Sequence, residues 1–260
     1  MRRRLQHVLI CGLWLAILAV MASVTHAAEA RIAVAANFAG PMQRLVPLFE
    51  GATGHRLIVA VGSTGALHAQ IRHGAPFDVF LAGDTTTPAM LRAAGVGVEG
   101  YVFTYATGRL VLWSRDRTLV DNEGAVLRGR QWRRLAIANP ALAPYGKAAI
   151  ETLERLGLIE QVRPRLVQGE NIAQTLQFVA SGNAQLGFVA LSQVMQDGRM
   201  MAGSVWRVPR EWHAAIAQDA LLLQRGRDNP AAVAFLEFLR TARAREVMQR
   251  FGYEFPAEGS

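Results

Sequence analysis

Two rhythms of apolar residues alternate along this chain. Short continuous apolar runs mark strands buried on both faces, and longer stretches with apolar residues every three or four positions mark one-sided helices. From residue 31 the pattern predicts strand Arg31–Ala35, helix Met42–Glu50 in a run opening at Phe38, strand Leu57–Val61, helix Leu67–His73, strand Phe77–Leu81 and helix Ala89–Ala94. Gly51, Gly54 and Gly74 punctuate helix ends, and Asp84 and Pro88 open the last helix. Such a βαβαβα series predicts a parallel sheet flanked by helices. Val102–Tyr105 and Arg109–Trp113 follow, with Ala106-Thr107-Gly108 as the crossing point into a second series.

That series begins with Asp116–Gln131, polar and poorly periodic, read as a loop with a short helix. It continues with strand Leu135–Ala138, helix Lys147–Leu156, strand Arg165–Val167, helix Ala173–Ala180, strand Leu186–Ala190, a short helix Leu191–Gln196, and edge strand Val205–Val208 stopped by Pro209. Ala214–Leu223 reads as a strand. Pro230–Thr241 is an amphipathic helix with Val233, Phe235, Leu236 and Leu239 on its apolar face and Asp228 or Asn229 as cap, and Ala244–Phe251 is a final helix.

The first 27 residues break the rhythm. Arg2-Arg3-Arg4, an apolar run from Val8 to Met21, and small residues ending at Ala27 have the form of a secretory signal peptide cleaved after Ala27. The run is shorter than the roughly 20 residues a spanning helix needs. The single cysteine, Cys11, falls inside this leader, so the mature chain would have neither disulfide nor thiolate chemistry and would depend on its core. The whole chain carries 28 Lys and Arg against 20 Asp and Glu. Removing the three leader arginines leaves a charge of about +5, which favours anions. The arginines are scattered, with no dense run and no aromatic-interleaved patch, which argues against nucleic acid.

Four strand-to-helix junctions hold the candidate chemistry: Ala35 to Met42 around Asn37, Val61-Gly62-Ser63-Thr64-Gly65, Asn139 to Lys147, and Gln168 to Ile172. A helix opening from a strand leaves free backbone N–H groups at a positive dipole end, where an anion is stabilised. Asn37 could donate through its amide or serve as a plain cap. Ser63 and Thr64 offer hydroxyls between glycines that allow close approach, or a capped turn. Tyr145 could close over a ligand or simply pack, and Lys147, one turn into its helix, belongs on the solvated face. Ile172 would offer a first-turn N–H. Glu170 would repel an anion and is expected to cap backbone or pair with an arginine, pointing away. Gly95-x-Gly97-x-x-Gly100 follows a helix, not a strand, and reads as a helix cap and loop instead of a dinucleotide site. His55, His68, His73 and His213 have no metal-ligand spacing. A hydrolase built on Ser63 would need a histidine within reach, with His68 the near candidate.

Ile32-Ala33-Val34-Ala35-Ala36-Asn37-Phe38, Gly62-Ser63-Thr64-Gly65, Gly74 to Ala82, Pro144-Tyr145-Gly146, Gly169-Glu170-Asn171-Ile172, Gly187 to Ser192 and Arg250-Phe251-Gly252-Tyr253 together resemble the periplasmic molybdate-binding proteins of ABC importers, over nearly all of the mature chain. The resemblance implies an α/β, type II periplasmic-binding fold: two lobes, each with a mostly parallel sheet flanked by helices, and a ligand cleft between them. Residues 28–107 with 218–260 would form one lobe and 108–217 the other, crossing near Thr107 and Ala217. It implies that Asn37, Ser63, Thr64, Tyr145 and Ile172 bind molybdate, with Ala36, Asn171 and Ala190 as secondary contacts. Ala36 stands where some members carry a threonine donor, and Thr64 replaces a usual serine. The expected protein has no cofactor and no catalysis. It works as a periplasmic monomer that captures molybdate, and tungstate alike, for an inner-membrane ABC permease. Sulfate or another oxyanion, a small organic acid, an exported hydrolase, and a sensory or scaffold role on the same fold remain alternatives.

Overall fold

The computed structural model describes residues 27–129 and 131–255. The leader and its cleavage site lie outside the described residues, apart from Ala27. In chain order the strands are β1 (Glu29–Ala35), β2 (Arg56–Gly62), β3 (Val79–Leu81), β4 (Gly97–Gly108), β5 (Leu110–Ser114), β6 (Leu135–Ala138), β7 (Leu166–Gly169), β8 (Leu186–Ala190), β9 (Met195–Gln196), β10 (Arg199–Met200), β11 (Ser204–Arg207) and β12 (Ile216–Leu223). The helices are α1 (Ala39–Thr53), α2 (Thr64–Arg72), α3 (Thr86–Ala93), α4 (Pro144–Arg155), α5 (Ile159–Val162), α6 (Ile172–Ala180), α7 (Leu191–Val194), α8 (Pro230–Leu239) and α9 (Ala242–Arg250).

Two five-stranded sheets result, ordered β2-β1-β3-β12-β4 and β11-β5-β8-β6-β7. In the first, β1 pairs in parallel with β2 and β3, and β12 runs antiparallel between β3 and β4. In the second, β6 pairs in parallel with β7 and β8, and β5 runs antiparallel between β8 and β11. One reversed strand in each sheet accompanies the two passages between the series: β4 leaves one sheet and β5 enters the other after the single residue Arg109, and β12 returns.

Pleat alternation explains the two faces of each sheet. Ile32 and Val34 on β1 pack with Phe38, Leu45, Phe49 and Phe235 under α1, α8 and α9, while Ala33 packs with Leu67, Phe80 and Leu91 under α2 and α3. In the second sheet Leu110 and Leu112 face the α4 side with Ala149 and Leu153, and Val111 and Trp113 face the α6 side with Val179. Strands buried on both faces have no polar alternation, which is why apolar runs located them.

Among the elements that differ from the sequence reading, two bear on the outline of the sheets. The Gly95–Gly100 segment is not all loop: Gly97 and Gly100 lie in β4. Gly97 is tolerated there because it lies flush on Leu221, where a Cβ would sit 2.8 Å from Leu221 Cδ1. The short helix after Leu191 ends at Val194 and gives way to a β9–β10 hairpin. Its tip is Asp197-Gly198 with φ of 51° and 76°, the turn that two-residue hairpins favour.

Besides the crossings at Gly108–Leu110 and Ile216–Ala217, the lobes meet through contacts that include Gln218 with Tyr145, Tyr253 with Ser192, Arg210 with Glu254 and the following. Gly65 N donates to Leu142 O at 2.9 Å. Ser192 Oγ donates to Asn37 O at 2.8 Å. Asp197 pairs with Arg44 at 3.1 Å, and Gly198 N donates to Arg250 O. The two lobes are thus in contact across the cleft. The C-terminal segment underlies the hinge, where Thr107 and Glu254 exchange backbone hydrogen bonds.

Candidate functional site

The four junctions converge where the lobes touch. After β1 the chain turns through one 3-10 turn, Ala36–Phe38, before α1, so Asn37 sits inside a turn and not at a cap. It is buried, and both its amide hydrogens are taken: Nδ2 donates to Gln218 Oε1 at 2.7 Å and to Tyr253 Oη at 2.9 Å. This corrects the expectation of an amide donor. What Asn37 can offer the cleft is its backbone N–H, one of the first-turn amides that have no intrahelical acceptor. Its carbonyl is held by Ser192 and Tyr253 hydroxyls.

Ser63 caps α2, its Oγ accepting from Ala66 N. Thr64 begins the helix, buried, with Oγ1 accepting from Gly83 N at 2.9 Å, which leaves the hydroxyl hydrogen to donate. Gly83 gathers the pieces: a Cβ there would lie 3.0 Å from Thr64 Oγ1, 3.2 Å from Asn37 Oδ1 and 3.5 Å from Pro144 Cγ. Two residues of one lobe and one of the other therefore crowd a single point.

Tyr145 is not on a loop, as expected, but in the first turn of α4, which starts at Pro144. The helix can begin so close to β6 only because residue 146 is glycine, whose Cβ would lie 2.2 Å from Ala138 O. The Tyr145 ring is buried among Ala36, Ile137 and Ile172. Its Oη accepts from Gln218 Nε2 at 3.3 Å. Burial, and then the adjacent Tyr253 phenol, push its pKa well above the usual tyrosine value, so its proton stays on as a donor.

Ile172 opens α6. Asn171 caps that helix, Oδ1 accepting from Ala173 N at 2.9 Å and Gln174 N at 3.0 Å, so the Ile172 amide is left at the helix mouth. Gln193 clamps the junction: Nε2 donates to Ile172 O and Oε1 accepts from Ala190 N. The Ala190 amide and the Asn171 side-chain oxygen are thus spent on structure. Ala36 is buried, and its side chain is only a methyl group. The cap at this helix is Asn171, not Glu170, which points to solvent as expected.

Charged side chains stay outside this group. Lys147 is on the solvated face of α4, 3.9 Å from Glu151. Asp84 caps α3 through Thr87 N. Among the described residues no histidine bonds Ser63, no cluster could hold a metal ion, and no helix is long and apolar enough to cross a membrane. Open cavities flank the junction: one of about 330 Å³ between Gly65, Asp84, Pro144 and Ala217, another of about 210 Å³ between Ala36, Gly40, Ala173 and Ser192.

Four participants escape sequence reasoning: Tyr105, Ser192, Gln218 and Tyr253. Tyr105 donates from its buried hydroxyl to Gln218 Oε1 or Ala82 O. Tyr253 is held protonated by burial, its pKa pushed up to about 12. Gln218 left a signal, a polar residue interrupting the apolar strand Ala214–Leu223, and Ser192 and Tyr253 lie in two of the stretches that carry the family resemblance.

A family model described as bacterial extracellular solute-binding protein matches residues 30–254. The molybdate-binding protein of Azotobacter vinelandii is 51% identical over 233 residues, 90% of this chain and 92% of that one. That of Rhodobacter capsulatus is 46% identical over 228 residues, 87% and 88% of the two chains. A solved periplasmic molybdate-binding protein from Azotobacter vinelandii superposes with a TM-score of 0.86 at 38% identity, covering 88% of this chain and all of that one. This chain, with its two sheet-built lobes, belongs to the bacterial extracellular solute-binding protein family.

Proposed function

We propose that this chain captures molybdate outside the cytoplasm and delivers it to an ABC importer. The observation that carries the reading is the donor set: the Thr64 and Tyr145 hydroxyls and the opening amides at Asn37 and Ile172, drawn from both lobes without a charged side chain among them. Molybdate is a doubly charged anion at neutral pH that presents only acceptors. Neutral donors at helix N-termini replace its hydration shell without a buried cation. Phosphate carries a proton at that pH and needs an acceptor, which the set lacks. Sulfate is smaller and leaves donors unpaired, at about 1–3 kcal/mol each. Tungstate is nearly isosteric and binds alike. The relatives named above, at 51% and 46% identity, support the ligand.

In the same reading Asn37, Thr64, Tyr145 and Ile172 touch the anion, with Ser63 beside them as the cap that sets Thr64. Residues 28–107 with 218–260 and residues 108–217 move as the two lobes, and ligand favours the closed arrangement by bridging them. The chain works as a periplasmic monomer, freed from its leader after Ala27, and its partner is the inner-membrane permease. A thermal-shift panel of oxyanions tests the ligand. Molybdate and tungstate raise the unfolding midpoint, sulfate raises it less and phosphate leaves it alone. A midpoint raised only by sulfate or an organic acid would replace the reading.

A further inference from the structure

We propose that Gln218 is a positioning residue: it aims the Tyr145 hydroxyl hydrogen at the cleft and ties that aim to the hinge. The inference rests on the oxyanion reading above and deepens it.

Gln218 is fully buried on β12, one residue past the crossing where Ala217 pairs with Thr107. The β12–β4 register slips between Gln218 and Asp219, the kind of irregularity that re-aims a side chain. Room for it comes from Gly108, where a Cβ would sit 2.6 Å from Gln218 Nε2 and 1.9 Å from Tyr145 Oη. The carboxamide has only one workable orientation. Asn37 Nδ2 can only donate, so the atom 2.7 Å from it is the Gln218 oxygen, and the Tyr105 hydroxyl approaches that oxygen at 2.9 Å. Nε2 therefore faces Tyr145 Oη and donates to it. With its oxygen accepting from Gln218, Tyr145 must send its own hydrogen elsewhere. Tyr253, the neighbouring phenol, takes one Asn37 hydrogen and donates to Asn37 O or Ser192 Oγ, so its second lone pair can take the Tyr145 hydrogen. An anion in the cleft competes with that lone pair for the hydrogen. One carboxamide so links the turn after β1, both hinge strands and α4.

The test uses isothermal calorimetry with sodium molybdate at micromolar protein, on the full chain and two substitutions. In Gln218→Glu the ionised carboxylate accepts the Tyr145 hydrogen and repels the dianion, whereas the protonated carboxyl reproduces the amide pattern, C=O toward Asn37 and O–H toward Tyr145. Affinity relative to the parent at the same pH falls about a hundredfold at pH 8 and recovers toward the parent at pH 5. The titratable groups facing this position are Tyr105 from β4, Tyr145 from α4 and Tyr253 from the C-terminal segment, all held protonated by burial across that range, with Asp84 and Asp219 beyond Tyr105. Parent measurements at each pH remove their share. Gln218→Met, which keeps the volume, provides a second arm through a double-mutant cycle. It weakens the parent about tenfold but changes Tyr145→Phe less than about twofold, because no hydroxyl remains to aim. Equal losses in both backgrounds, or a Gln218→Glu affinity ratio flat with pH, overturn the role of Gln218 while leaving molybdate binding intact. A parent that takes no molybdate overturns the underlying reading, and this one with it. If Gln218→Glu does not fold, shown by lost far-ultraviolet dichroism, the cycle decides.

Discussion

Thr64 and Tyr145 each reach the junction with one hydroxyl hydrogen to give, and each oxygen already accepts from protein, Gly83 N and Gln218 Nε2 respectively. Hydrogen bonds to charged partners contribute about 1.5–3 kcal/mol. Thr64→Ala and Tyr145→Phe should therefore each weaken molybdate binding by about tenfold to a hundredfold in calorimetry, with unchanged far-ultraviolet dichroism. The phenols also carry a pH signature. Tyr105, Tyr145 and Tyr253 are raised by burial first, Tyr253 to about 12. An unfolded tyrosine titrates near 10, so the folded chain holds these protons more tightly than the unfolded one. Their contribution to stability is complete below about pH 10 and is lost as pH rises from there toward 12. Urea midpoints at pH 8, 9, 10 and 11 should be level up to about 10 and then drop. The Tyr145→Phe variant, with one such proton fewer, should drop less.

The elements carry two glycines whose replacement should act in different ways. At Gly146 two effects compete: alanine is the better helix former by about 1 kcal/mol, but its Cβ would meet Ala138 O at 2.2 Å. The carbonyl belongs to β6 and cannot yield, so the clash wins. Gly146→Ala should destabilise the chain by about 1–3 kcal/mol in denaturant titration, with or without ligand. Gly65 is different because its neighbour is in the other lobe, Leu142 Cα at 3.0 Å from a Cβ there and Leu142 O at 3.2 Å. Each lobe keeps its own core, so Gly65→Ala should leave the unliganded unfolding midpoint alone. It should prop the cleft open, which stopped-flow would read as an off-rate raised about tenfold and scattering as a larger radius with molybdate present. An unchanged off-rate would mean that the Gly65–Leu142 contact is incidental to closure.

For the whole molecule the relevant quantity is linkage between ligand and fold. A ligand at a hundred times its Kd adds about 2.7 kcal/mol to the stability of the state it binds. For a chain of this size that is about 5–10 °C in midpoint. Molybdate should produce such a shift in the parent. The shift should shrink for Gly65→Ala, whose lobes are sound but cannot meet, which separates closure from lobe stability. The contacts between the lobes are individually small polar ones, among them Gly65–Leu142, Ser192–Asn37, Arg44–Asp197 and Arg210–Glu254. An anion bridging both lobes adds to them and biases the pair toward closure.

Local patterns were enough to place most strands and helices. Strands sandwiched between helices must be apolar throughout, and helices must carry one apolar stripe, so periodicity alone finds Ile32–Val34, Leu110–Trp113 and Phe235–Leu239. The four junctions could be read for the same reason, since a strand entering a helix through Gly, Ser, Thr or Asn is a local event. Partners distant in sequence were beyond that reach. The Asn37 amide looks like a donor until folding brings Gln218, 181 positions away, and Tyr253, 216 away, against it. Gly97 enters a strand only because β12 pairs beside it, and Tyr145 opens a helix because Gly146 lets α4 approach β6. Hydrogen-bond capacity is a property of a residue, but its allocation depends on what the whole chain brings within three ångströms.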